Sequence, residues 1–166
     1  MIASSPMKIN NKQMKTTELI AQHILEVHEG NNWTDSAITA ALADVTVNDA
    51  TLQTVASPNT IASLLHHITS WNRLMVQRIN GVDIQEPEGN GYNVPPLQTE
   101  AEWQALKADN INSAHELAAA IRAFDENKLQ LPILPGYSSA YKNLQGTSEH
   151  IHYHLGQMVI LKQLIH

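Results

Sequence analysis

The chain contains no cysteine among its 166 residues, and only 16% of them are charged. Without cysteine there is no disulfide scaffold, no thiolate metal site, no cysteine nucleophile and no redox couple carried by the protein itself. The charge that is present is mostly acidic: ten Lys and Arg stand against sixteen Asp and Glu, a net charge of −6, with no basic block. That balance argues against a nucleic-acid partner and against an anionic membrane surface. No apolar run approaches the ~18 residues that a membrane-spanning helix needs. The opening residues Met1 to Pro6 turn polar too soon for a signal peptide, so a cytoplasmic location is expected.

What the chain does have is nine histidines. A transition metal bound here would have to be held by imidazole and carboxylate. The length is that of one domain. Residues 1–13 show little periodicity and read as a flexible N-terminal arm, leaving residues 14–166 as a single domain.

Helical periodicity dominates that domain, and strand-like alternation is weak throughout. Leu19, Ile20, His23, Ile24 and Val27 mark a first long helix from Thr16 to Glu29, with Thr17 as its expected cap. Two short helices follow, one capped by Thr34-Asp35 and running to Leu42, the other from Thr46 to Val55. Pro58-Asn59-Thr60 opens a second long helix that Asn80-Gly81 stops. Residues 82–98 hold Pro87, Gly89, Gly91, Pro95 and Pro96 and must be a long loop. A third long helix runs from Thr99 to about Asp125 and a fourth from about Ser138 to Leu164. Four amphipathic helices with one long crossover loop predict an all-α four-helix bundle.

The fourth helix carries Glu149-His150-Ile151-His152-Tyr153-His154-Leu155-Gly156-Gln157. His150 and His154 are four apart, which places both imidazoles on one helix face and within reach of one metal ion. His152 points elsewhere. The same face continues through Gln157, Leu161 and Leu164 and so turns toward the bundle interior. In the second helix His66 and His67 are adjacent. His66 shares a polar strip with Ser70, Arg73 and Gln77, while His67 lies at the edge of the apolar face, so His67 is the one of the two that would reach inward. Spacing alone leaves open whether it ligates a metal or fills a polar patch. Three neutral imidazoles from two helices would leave coordination positions free, as catalytic sites do, and would suit zinc, nickel or ferrous iron.

Two familiar patterns are excluded. The zinc-protease motif needs Glu directly after its first His, and Ile151 stands there. The Glu-x-x-His pairs of di-iron bundles are absent as well.

Leu64-Leu65-His66-His67-Ile68-Thr69-Ser70-Trp71 resembles the His-Ile-x-x-Trp segment of DinB/YfiT-like proteins, and His150-Ile151-His152-Tyr153-His154-Leu155-Gly156-Gln157 resembles their His-x-x-Tyr-His-x-Gly-Gln segment. The resemblance spans about residues 16 to 164. It implies an up-down-down-up four-helix bundle whose His67, His150 and His154 hold a divalent metal, with His66 as the alternative ligand from the second helix. It further implies that Tyr153 and Gly156 are packing residues, while Gln157, one turn beyond His154 on the same face, either orients a metal-bound group or makes a plain buried hydrogen bond. The implied activity is that of a metal-dependent enzyme acting on a small molecule, a thiol-dependent S-transferase or a hydrolase, with a low-molecular-weight thiol as cosubstrate. A homodimer is implied too. The alternative is a non-catalytic metal- or small-molecule-binding bundle that serves as a stress or damage-response partner.

Other residues invite attention. Trp33, Trp71 and Trp103 read as core anchors. His23 and His28 read as surface or interface residues, His28 being a remote candidate for a base in the pocket. His115-Glu116 reads as solvated, and Tyr92 sits in the Gly/Pro-rich loop where a pocket could be gated.

Overall fold

A computed structural model describes residues 14–166, and among them every regular element is helical. The expected arm at residues 1–13 lies outside the described residues. The four long helices are α1 (Thr16–Glu29), α4 (Ile61–Ile79), α5 (Glu100–Ala123) and α6 (Ala140–Ile165), with short α2 (Ile38–Ala41) and α3 (Val47–Thr51) between the first two. No described helix is long and apolar enough to cross a membrane.

The helix starts follow local chemistry. Thr60 and Thr99 each close a capping box, with Ser63 and Glu102 respectively, which satisfies backbone N–H groups that the first turn leaves without partners. Three expected boundaries move. Thr17 does not cap α1; it is buried inside the helix, and the Thr16 N–H donates instead to Glu126 Oε1, 2.5 Å away across the bundle. Thr34 does not cap α2, because its N–H and hydroxyl both donate to Asn32 Oδ1, at 2.9 and 2.6 Å, and the helix starts only after Ala37. The α3 helix begins at the expected cap, Thr46, but ends at Thr51 because Leu52 is already extended.

Pair contacts give the directions of the long helices. Glu18 meets Arg122 and Glu29 meets His115, so α1 and α5 are antiparallel. Thr69 meets Asn110 and Asn72 meets Ser113, so α4 and α5 are parallel. His67 meets His150 on α6, while Arg78 stacks on Tyr137 just before α6 begins, so α4 and α6 are antiparallel. The order is therefore up-down-down-up.

The core is apolar where all four helices meet, with Ile24, Leu64, Leu65, Ile68, Leu117, Ile121, Leu144 and Ile151 fully buried. Trp103 is the anchor expected of it: it is fully buried, and its indole N–H donates to Val45 O at 2.7 Å. Trp33 is not, being 95% exposed.

A polar string also runs through the interior. The Leu65 carbonyl accepts from Thr69 (2.8 Å), Thr69 Oγ1 accepts from Asn110 Nδ2 (3.0 Å), and Asn110 O accepts from Ser113 (2.7 Å). Ser113 Oγ in turn accepts from Asn72 Nδ2 at 3.1 Å, and the same amide lies 3.4 Å from His28 Nε2. His28 is thus no surface residue. Its Nδ1–H donates to Ile24 O at 2.8 Å, it is fully buried, and it lies away from the cleft described below. The helix face alone hides this, because the Asn72 amide beside its other nitrogen comes from α4.

Burial lowers the His28 pKa from 6.5 to about 4. The unfolded chain therefore takes up this proton near pH 6.5 and the folded chain only near 4. The stability it contributes is intact above pH 6.5 and is lost as pH falls through that window, by roughly 3 kcal/mol in all. Urea denaturation at pH 7 and pH 5 of wild type and His28→Asn checks this: the variant should lose less stability on acidification, and equal losses would refute the assignment.

Candidate metal centre

The α4 helix supplies His67, and α6 supplies His150 and His154 one turn apart. His150 Nε2 lies 2.8 Å from His67 Nε2 and 3.0 Å from His154 Nε2. The three ligand atoms fall within 4.8 Å of one another. His67 and His154 are 2% and 3% exposed, and His150 is half-buried.

An imidazole can ligate only through a nitrogen that carries no proton, so the partner of the other nitrogen decides its use. His67 Nδ1–H donates to the Asn90 carbonyl at 2.5 Å. His154 Nδ1–H donates to Gln157 Oε1 at 2.6 Å. Both protons are held on Nδ1, and both Nε2 lone pairs point at His150. Burial, followed by the neighbouring imidazoles, lowers His67 and His150 to about 4, and burial also lowers His154. At neutral pH the cluster is three uncharged imidazoles whose Nε2 atoms crowd together with at most one proton to share. A cation is what such a donor set fits, and the residues present therefore suit a divalent metal.

The crossover loop completes the site. Its 3-10 turn, Glu88–Gly91, lies over α4. Asn90 O takes the His67 proton, Asn90 Oδ1 accepts from the Trp71 indole at 2.9 Å, and Gly91 O accepts from His66 Nδ1 at 2.7 Å. His66 therefore ties down the loop and is not part of the cluster. Tyr92 then stacks flat on His67, with ring centroids 4.1 Å apart and an interplanar angle of 2°. Gly91 is required for this close approach. Its φ is +78°, and a Cβ there would stand 3.0 Å from Ser70 Cβ.

A cleft of about 490 Å³ adjoins the triad, walled by Trp71, Met75 and Arg78 of α4, by Tyr92, and by Lys142 and Tyr153 of α6. Several sequence expectations change here. Trp71 lines the cleft instead of anchoring the core, and its ring lies 6.1 Å from His67 and 5.8 Å from His150. Tyr153 is 63% exposed at the cleft and is not a packing residue. Gly156 permits no close helix approach, since a Cβ there would meet nothing within 4 Å. Leu161 is buried as expected, but Leu164 is 58% exposed. His152 does point elsewhere: it stacks on His23 of α1 at 5.3 Å, which leaves His23 half-buried. Arg78 and Lys142 carry no motif in the sequence, although both sit on helix strips that include histidines of the triad.

A family model described as the DinB superfamily matches residues 32–158, more than half of the chain. The chain belongs to that superfamily. No curated protein and no solved structure matches it.

The loop geometry yields a test that needs no metal. Gly91→Ala should cost about 1–3 kcal/mol through its positive φ and the contact with Ser70. It should also change the near-ultraviolet signal of Trp71 and Tyr92. Thermal and urea denaturation would show the cost, and an unchanged midpoint would contradict the close approach.

Proposed function

We propose that this DinB-superfamily bundle is a metal-dependent enzyme in which His67, His150 and His154 hold one divalent ion (zinc, nickel or ferrous iron) beside a small-molecule cleft. The observation that carries this reading is the convergence of three uncharged imidazoles, two of them with the lone pair fixed toward the cluster by a carbonyl on the far nitrogen. The bound ion would supply a Lewis acid that lowers the pKa of a coordinated thiol or water. The chain's own groups do the rest. Asn90 O and Gln157 Oε1 keep protons on Nδ1 and orient the rings. Tyr92 and Trp71 cover His67 and restrict water.

The reaction we favour is transfer to or from a low-molecular-weight thiol. With no cysteine in the chain, any thiol must come in as cosubstrate. No carboxylate lines the cleft to act as a general base for hydrolysis. A thiol whose pKa has been lowered needs no such base. The same lack of a carboxylate supports one other reading, a bundle that binds metal or a small molecule without turnover.

Purified protein should carry about one divalent ion per chain by elemental analysis. His150→Ala and His154→Ala should lose it, and Gln157→Leu should weaken binding by about 10–100-fold with the fold intact. Full metal retention in both alanine variants would defeat the ligand assignment. Metal-loaded protein supplied with thiols and several classes of electrophile should consume thiol faster than His154→Ala does. No turnover with any pair would favour the binding module.

A further inference from the structure

In a chain of net charge −6, the cleft wall carries two cationic side chains, Arg78 and Lys142, and no acidic one. Among the described residues neither makes an ion pair, although Arg73, Arg122 and Lys162 each find a carboxylate. Arg78 is the more telling of the two. It is only 8% exposed, and its Nε is buried with no hydrogen-bond partner. Its guanidinium carbon sits over the Tyr137 ring at 4.8 Å and over the Trp71 ring at 5.8 Å. Asp83 accepts from Tyr137 Oη at 2.9 Å, beside the ring on which the guanidinium lies, and makes no ion pair with Arg78 among the described residues. An arginine in the last turn of α4 would favour the helix dipole from an exposed position equally well, so the dipole does not account for burying it.

Aromatic rings hold a guanidinium by its faces, and its N–H edge is the part that pairs in plane with a carboxylate. The Trp71 ring that supports Arg78 at 5.8 Å also lies 5.8 Å from the His150 ring, so one indole neighbours both the guanidinium and the triad.

We propose that Arg78, assisted by Lys142, forms a carboxylate subsite, so that the substrate of this cleft is a small molecule with a carboxylate at one end and its reacting atom directed to the triad. The substrate part of this statement rests on the function proposed above; the subsite does not need the metal. Lys142 is exposed and approaches the cleft from α6. It supplies attraction at the mouth, while Arg78 supplies direction.

The test begins with metal-free, ¹⁵N-labelled protein. The Arg78 side-chain N–H resonance, assigned by its loss in Arg78→Met, is followed during titration with succinate and, separately, with succinamide, its uncharged isostere. Succinate should give a saturable shift at least about tenfold tighter than succinamide. Lys142→Met, a substitution at an exposed site, should weaken succinate by about two- to fivefold. Equal responses to the two compounds, or none to succinate, would overturn the subsite. Tighter binding of inorganic phosphate than of succinate would overturn its assignment to carboxylates. Zinc-loaded protein is then titrated with 3-mercaptopropionate and 3-mercaptopropanol, and the acid should bind tighter in wild type but not in Arg78→Met. A succinate response in protein that binds no zinc upholds the subsite and removes the metal reading alone.

Discussion

Two consecutive helices of this bundle, α4 and α5, run parallel, and much of the site follows from that. A helix of 19 residues is roughly 28 Å long, and the chain must travel back over that length before α5 can begin. A short turn cannot do this. Residues 80–99 make the journey, and they pass the middle of α4 on the way, where His66, His67, Ser70 and Trp71 lie. The return segment thereby becomes the outer wall of the triad. Its backbone carbonyls take the protons of two adjacent histidines, and its Tyr92 covers one of them. Topology and chemistry share the same residues here.

The interior divides its polar groups into two zones. One is the string from Thr69 through Asn110, Ser113 and Asn72 to His28, which uses α1, α4 and α5. The other is the triad on α4 and α6. In the first zone side chain pairs with side chain, although Asn72 Oδ1 and Asn110 Oδ1 are left without a partner among the described residues. In the second, three Nε2 atoms converge with at most one proton among them, so they cannot all pair with one another. Burial alone does not tell the two zones apart, since His28, His67 and His154 are all nearly inaccessible.

The sequence made the helices legible because their apolar spacing and threonine caps are local signals, as Thr60 and Thr99 show. His150 and His154 were legible for the same reason: a spacing of four on a helix is nearly a contact. The preference for His67 over His66 followed from the polarity of the two strips. What stayed hidden depends on the loop and on distant helices. Nothing in the spacing says that Asn90 offers its carbonyl to His67, that Tyr92 stacks there, or that His28 finds Asn72. The α6 face was followed from His154 toward its C-terminus, while the cleft opens the other way, past Thr147 toward Lys142. Trp33 misled because aromatic size predicts burial only where the chain has an interior to offer, and this one sits on an exposed connection.

The Asn90 carbonyl has a consequence beyond holding a loop. A neutral imidazole has one proton and two nitrogens, so the peptide plane between Asn90 and Gly91 decides which nitrogen of His67 keeps its lone pair. Rotating that plane would offer Nδ1 a donor in place of an acceptor and send the proton to Nε2. Molecules with the loop closed in this orientation present the His67 Nε2 lone pair to the cluster, and the affinity of the triad for a cation would be scaled by their fraction. In the language of linkage, the loop and a cation at the triad would share one ring, His67. The larger the fraction of molecules with the loop open, the less of its intrinsic affinity such a cation would realise.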